Sequence, residues 1–200
     1  MATALDDRHR TLADFLAWEE QQTERYERLC GVVWMMTGGT IDHNRITLNV
    51  ADALRQRLRG GRCEAFVNDI KVVSPQEDVM YPDVLVACGD VGGQATLLEA
   101  PVVVVEVLSP STASRDHGRK RWAYQTIASL EHYLLIDQNQ PVVEVASRTA
   151  DGSWRSVIHR GLEGRAQLTA LGLEIGLDEI IARVTFASAA AEAGPTDQAG

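Results

Sequence analysis

Glu106 is the residue from which the chemistry of this chain must be read. It interrupts an apolar run, with Val102-Val103-Val104-Val105 before it and Val107-Leu108 after it, that closes at Ser109-Pro110-Ser111-Thr112. Four successive β-branched residues after Pro101 predict a strand buried on both faces, as in the middle of a mixed or parallel sheet. An unpaired carboxylate there costs on the order of several kcal/mol, so it implies a metal, another cation or a strand end opening into a cleft. A second short strand, Tyr81-Pro82-Asp83-Val84-Leu85-Val86-Ala87, opens with Asp83, so two strands each deliver one carboxylate. Farther on, Asp116, Lys120 and Tyr124 recur every four residues and line one face of a predicted helix.

The elements that must position these groups can be read in order. Residues 1–10 form a loosely held arm, 11–186 one folded domain, and 187–200 a tail of Ala, Gly, Pro and polar residues that could not bury a face. Thr11 is a candidate N-cap for a helix carrying Leu12, Phe15, Leu16 and Trp18. Residues from Tyr26 to Met36 predict two strands turning near Cys30-Gly31, and His43 to Leu58 a helix ended by Gly60-Gly61. Cys63 to Val73 reads as one strand, with Asp69 and Lys71 on a shared face, and forms a hairpin with the Pro82-Asp83 strand. Gly89 to Ala100 reads as a surface loop. A helix from about Ser114 to Ala128, an apolar strand within Ser129 to Asp137, a hairpin through Asp151-Gly152 and a short helix from Leu177 to Val184 follow.

With 45% hydrophobic and 24% charged residues among 200, the composition is that of an ordinary globular domain. No apolar run approaches the roughly 20 residues that cross a bilayer, and the charged first ten residues carry no signal-type stretch, so a cytoplasmic protein is expected. Cys30, Cys63 and Cys88 show no CxxC spacing and are expected to be reduced and mostly buried. A net charge of -9 argues against a sequence-independent nucleic-acid coat and leaves room only for local positive patches. Two clusters exist: Arg55, Arg57, Arg59 and Arg62, which also reads as a solvated helix face, and Arg115, Arg119, Lys120 and Arg121 beside the carboxylates.

The order Pro82-Asp83, then Glu106-Val107-Leu108 ending a valine-rich strand, then a nearby lysine resembles the PD-(D/E)XK nuclease superfamily. More closely, Val105-Glu106-Val107-Leu108-Ser109-Pro110-Ser111-Thr112 followed by Asp116, Lys120 and Tyr124 resembles the Uma-two-type family of restriction-endonuclease-like proteins. The resemblance extends to Arg25-Tyr26-Glu27, Gly31, His43, Asp69-Ile70-Lys71 and Ser129-Leu130, and covers roughly residues 10 to 185. It implies an α/β, restriction-endonuclease-like three-layer domain: a central mixed β-sheet flanked by the first and third helices, with the Val142 to His159 hairpin extending one side.

The resemblance also implies hydrolysis of DNA phosphodiester bonds. Such chemistry calls for Mg²⁺ or Mn²⁺ to stabilise charge and generate hydroxide, and for a positive group near the reacting oxygens. Asp83, Glu106 and the backbone carbonyl of Val107 become the metal ligands, and Lys120 orients or deprotonates water or stabilises the transition state. Without metal the acid pair should repel. Glu27 becomes an accessory ligand, with an exposed hairpin acid as the alternative. His43 becomes a contact to substrate or metal, or else a local hydrogen-bonding residue at a helix start. Asp116 and Tyr124 are accessory groups, and Arg115, Arg119 and Arg121 are DNA contacts. The chain departs from the superfamily pattern at Leu108, where the usual motif has lysine, and Lys120 on the following helix fits a relocated charge. Edge strands near the hairpin could support a homodimer. The competing expectation is a catalytically inactive nuclease-like fold that binds DNA or a protein partner.

Overall fold

The computed structural model describes residues 4–5, 11–109 and 116–186. In chain order its first part holds β1 (Ala4–Leu5), α1 (Leu12–Glu19), β2 (Tyr26–Leu29), β3 (Val32–Met35), α2 (Ile41–Leu58), β4 (Cys63–Val67), β5 (Lys71–Val73), β6 (Val79–Met80), β7 (Val84–Cys88), β8 (Leu97–Leu98) and β9 (Pro101–Leu108). A π-helical turn, Asp116–Lys120, then runs into α3 (Arg121–Gln125). After it come β10 (His132–Asp137), β11 (Val142–Arg148), β12 (Trp154–Arg160), β13 (Arg165–Leu168), β14 (Leu173–Gly176) and α4 (Leu177–Ile180).

The main sheet has the order β12-β11-β10-β9-β7-β4, which puts the valine-rich β9 at its centre. β9 runs parallel to β10 and antiparallel to β7, so the sheet is mixed as expected. Period-two alternation divides β9 between two cores. Val103, Val105 and Val107 join a cluster with Ile46, Val50 and Leu54 of α2, while Val104 and Leu108 join one with Tyr124 of α3 and Met80 of β6. Burying each such valine is worth about 1.5–3 kcal/mol, so a charged residue is tolerated in this strand only with partners of its own.

The layering corrects one expectation. The second and third helices, not the first and third, cover the two faces of the main sheet, because α2 carries the apolar stripe Ile46, Val50, Ala53 and Leu54. α1 packs instead on a second sheet, β1-β3-β2-β6-β5-β8, through Phe15 against Val33, Val73 and Val79. Thr11 caps α1 as expected, accepting from Asp14 N–H. Trp18 is half-buried, with its ring centroid 4.7 Å from that of Tyr26.

The segment from Cys63 to Val73 is two strands in two sheets. Asn68 and Asp69 adopt left-handed backbone, φ 43° and 62°, and break it, after which β4 pairs with β7 and β5 with β6. Asp69 therefore shares no strand face with Lys71: it pairs with Arg25 at 3.0 Å, whereas Lys71 turns inward to Glu19 at 3.1 Å. The 89–100 segment contains β8, parallel to β5. β13 and β14 form a further hairpin, which the sequence pattern had left unassigned, and the last helix ends at Ile180.

Cys63 and Cys88 stand opposite each other across β4 and β7 and are joined as a disulfide, which corrects the expectation of reduced thiols. Cys30 is the free cysteine, and it is exposed at the β2–β3 turn. Among the described residues no helix is long and apolar enough to cross a membrane.

Candidate active site

Two adjacent strands bring the carboxylates together. The register Val84↔Val105 places Asp83 level with Glu106 one step beyond the paired stretch of β7, and alternation puts both on the α3 face. The Val107 N–H donates to Asp83 Oδ2 at 2.7 Å, which ties the start of β7 to the end of β9. Glu106 is 4% exposed. Both acids and Val107 line one cleft of about 80 Å³, walled by Thr37, Gly38 and Gly39.

The helix after β9 supplies the cation. Lys120, 3% exposed at the junction of the π turn and α3, places Nζ 3.1 Å from Glu106 Oε1 and 2.8 Å from Glu27 Oε1. One turn on, the Tyr124 hydroxyl donates to Glu106 Oε1 at 2.9 Å. Burial and then the Glu106 carboxylate push that hydroxyl well above the usual tyrosine range, so it stays a donor at any physiological pH. Arg148 fixes the helix end by donating to the carbonyls of Leu130 at 2.8 Å and Ile127 at 2.7 Å, and its guanidinium lies over the Trp154 ring.

Glu27 lies on strand β2 and is fully buried, so the alternative of an exposed hairpin acid falls. Its Oε1 accepts the Tyr81 N–H at 3.1 Å as well as Lys120. His43, in the first turn of α2, sets Nε2 3.4 Å from Asp83 Oδ2. Thr40 caps that helix by accepting the His43 N–H at 3.1 Å. A Cβ at Gly39 would stand 3.0 Å from the imidazole, so a larger residue there would press on the ring.

The remaining expected residues lie around this cluster or outside the described residues. Leu108 packs in the core on Glu106's face and brings no charge. Arg119 is exposed, whereas Arg121 is half-buried and held by Glu144 at 2.5 Å. Arg115 lies outside the described residues, as does the side chain of Asp116. Sequence reasoning missed the layer beneath: Tyr81 lines the cleft, its hydroxyl donates to Glu19 Oε1 at 2.7 Å, and Glu19 pairs with the buried Lys71. The available signal was Glu19 itself, a carboxylate four positions after Phe15 on the apolar stripe of α1.

Among the described residues no three His, Cys, Asp or Glu side chains form a closed metal cage. The donor set is instead two carboxylates beside an open cleft, as suits Mg²⁺, which keeps several waters and takes one or two carboxylates plus substrate phosphate. The charges agree. Three carboxyl side chains, Asp83, Glu106 and Glu27, line this cleft with the one lysine among its described residues, Lys120, an excess of acidic groups that suits a cation.

Known proteins share this fold. A 16%-identical protein of known crystal structure, "a putative nuclease belonging to DUF820" from Anabaena variabilis, matches with a TM-score of 0.69 over 86% of this chain and 97% of its own, which shows the common fold. Two uncharacterized proteins of Synechocystis sp. are similar in sequence. One, slr1290, is 31% identical over 86% of this chain and 92% of its own length; the other, sll1609, is 34% identical over 72% and 84%. Residues 12–182 match the family described as "Putative restriction endonuclease", and the chain therefore belongs to that family, Uma2.

Proposed function

We propose that this chain is a divalent-metal-dependent endodeoxyribonuclease of the PD-(D/E)XK type, with Mg²⁺ or Mn²⁺ as cofactor and DNA as substrate. The observation that carries the reading is the meeting of Asp83, Glu106 and Lys120 in one cleft, the lysine arriving from a helix in place of Leu108. Asp83, Glu106 and the Val107 carbonyl would hold the ion, with Glu27 accessory to them. When bound, the ion supplies charge stabilisation at the scissile phosphate and lowers the pKa of water. Lys120, positioned by Glu27 and Glu106, donates to a phosphoryl oxygen and orients the attacking water. Tyr124 fixes the Glu106 carboxylate, and His43 fixes Asp83.

The second reading, an inactive nuclease-like fold that binds DNA or protein, draws on the same Lys120–Glu106 contact taken as a purely structural ion pair. A panel of plasmid, linear duplex, single-stranded and branched DNA incubated with Mg²⁺ or Mn²⁺ separates the two. Metal-dependent cleavage lost in Glu106→Gln supports the nuclease; a wild type that cuts nothing in the panel puts the inactive fold ahead.

A further inference from the structure

The exposed ridge of α2, on the side of the helix turned away from His43 and the buried stripe, ends at a feature that the proposed chemistry does not use. Ile41, Leu48, Asp52, Arg55 and Arg59 are exposed and fall on one stripe of the helix at 100° per residue. At its far end Arg55, Arg59 and Arg62, all exposed, surround the Gly60-Gly61 turn and border adjoining hollows of about 310 and 400 Å³. Among the described residues none of the three pairs with a carboxylate. Arg57, on the same turn, bonds both Glu179 oxygens at 2.8 and 2.9 Å. Two acids stand nearby and reduce the excess without forming ion pairs among the described residues: Glu64 lines the same hollow, and Asp52 accepts from Gln56.

In a chain of net charge -9, three guanidinium groups gathered within eight positions, with no carboxylate partner among the described residues, are a local positive footprint, complementary to a polyanion. Gly60 takes the left-handed backbone, φ 77°, that turns the chain out of α2, and the space over it is open. Along the axis of α2, Arg59 at the C-cap lies 16 positions beyond His43, an axial rise of about 24 Å at 1.5 Å per residue, with the two side chains on opposite sides of the helix. That is the reach of about 7 nucleotides along one strand of duplex at 3.4 Å spacing.

We propose that Arg55, Arg59 and Arg62 form a remote clamp on the phosphate backbone of the same DNA duplex whose scissile phosphate enters the Asp83–Glu106 cleft. This rests on the nuclease reading for its choice of ligand, but its test does not depend on cleavage. The clamp adds affinity without sequence preference and sets a minimum length on the cleft's outer side.

The test compares the full-length wild type with R55Q/R59Q/R62Q, measuring anisotropy of a labelled duplex of about 30 base pairs in EDTA across a salt series. The clamp predicts at least about a tenfold loss of affinity at low salt in the variant. It also predicts a fall of about 2–3 in the slope of log affinity against log salt, near 0.9 per lost phosphate contact. R57Q should leave the slope unchanged, because that arginine is engaged by Glu179. Equal affinity and slope in wild type and triple variant overturns the clamp, as does an R57Q variant that loses as much, or a wild type that binds no duplex at low salt. So does a triple variant that loses binding to anionic vesicles while keeping its grip on DNA. The cleft fails separately: a wild type whose melting temperature ignores Mn²⁺ but whose DNA binding needs the three arginines sinks the nuclease reading and leaves the clamp standing.

Discussion

Lys120 Nζ lies 3.1 Å from Glu106 Oε1, although 14 positions separate the two residues and one is on a strand, the other on a helix. On the proposed nuclease reading, the ammonium supplies from a helix the charge that Leu108 does not bring to the strand. It also serves Glu27, so the metal-free repulsion expected among the acids is partly compensated within the fold. Removing it should have two separable effects. Lys120→Ala should abolish metal-dependent cleavage, and it should also destabilise the EDTA form by about 3–5 kcal/mol, since buried acids lose their counter-ion. Mn²⁺ should raise the melting temperature of this variant by more than that of wild type. Equal cleavage and equal stability in EDTA would remove Lys120 from the site.

Asp83→Asn and Glu106→Gln address the ion. Wild type should gain about 2.7 kcal/mol of stability at a Mn²⁺ concentration one hundred times the dissociation constant. Either neutral variant should lose that gain together with cleavage. Thermal melts with EDTA and with Mn²⁺ check this directly, and coincident wild-type curves would count against a metal site.

Tyr124→Phe removes a single donor from Glu106 and leaves the ring that packs against Tyr133. Partners that orient a ligating carboxylate typically contribute 10–100-fold to metal affinity or activity. A loss of about that size is expected in the metal concentration needed for half-maximal cleavage, with the far-ultraviolet spectrum unchanged. A variant with wild-type metal dependence would reduce Tyr124 to a core residue.

The site was legible where its residues interrupt a pattern. Glu106 breaks a valine run and Asp83 opens a strand after Pro82, and both positions follow from local hydrophobic periodicity. Lys120 and Tyr124 followed from helical spacing, although the helix begins as a π turn. What stayed hidden depends on contacts distant in sequence. Glu27 is buried where Tyr81, 54 positions away, and Lys120 donate to it, and Lys71 faces inward to meet Glu19 from α1. The break at Asn68-Asp69 came from left-handed backbone at two residues that tolerate it, a choice that alternation of side chains does not report. The swap of α1 for α2 beside the main sheet reflects two amphipathic helices of similar pattern, whose partners are set by tertiary packing alone.

His132 gives a pH prediction independent of the cleft. Its Nε2 accepts the Ala170 N–H at 3.1 Å, which leaves Nδ1 to donate to Ser147 at 2.9 Å, and burial lowers its pKa from 6.5 to about 4. The unfolded chain takes up the proton first, so stability should be full above pH 6.5 and should fall as pH drops from there toward 4. Asp151 acts in a lower window: hydrogen bonds from Thr149 and Ser153 hold its carboxyl at about 2, so its contribution persists until the pH falls below 3.8. His132→Gln should flatten the upper window and leave the lower one. Urea midpoints across pH 4 to 7 read the difference, and parallel slopes in both proteins would exclude His132 as the cause.

The Cys63–Cys88 bridge closes a loop with a sequence separation of 25 and pins the edge strand β4 to β7 at the end of the sheet away from Asp83. For a loop of that length the chain-entropy estimate is a stabilisation of about 3 kcal/mol. At about 2–4 °C per kcal/mol for a domain of this size, reduction or Cys63→Ser should lower the melting temperature by about 6–12 °C. The metal-induced shift should survive, because the bridge touches none of the cleft residues. Thiol counting supplies the direct check. Native protein should show one reactive thiol, the exposed Cys30, and denaturant without reductant should add none. Only reduction should expose the other two; three thiols titrating in denaturant alone would show that the bridge is absent, and the stability prediction would fall with it.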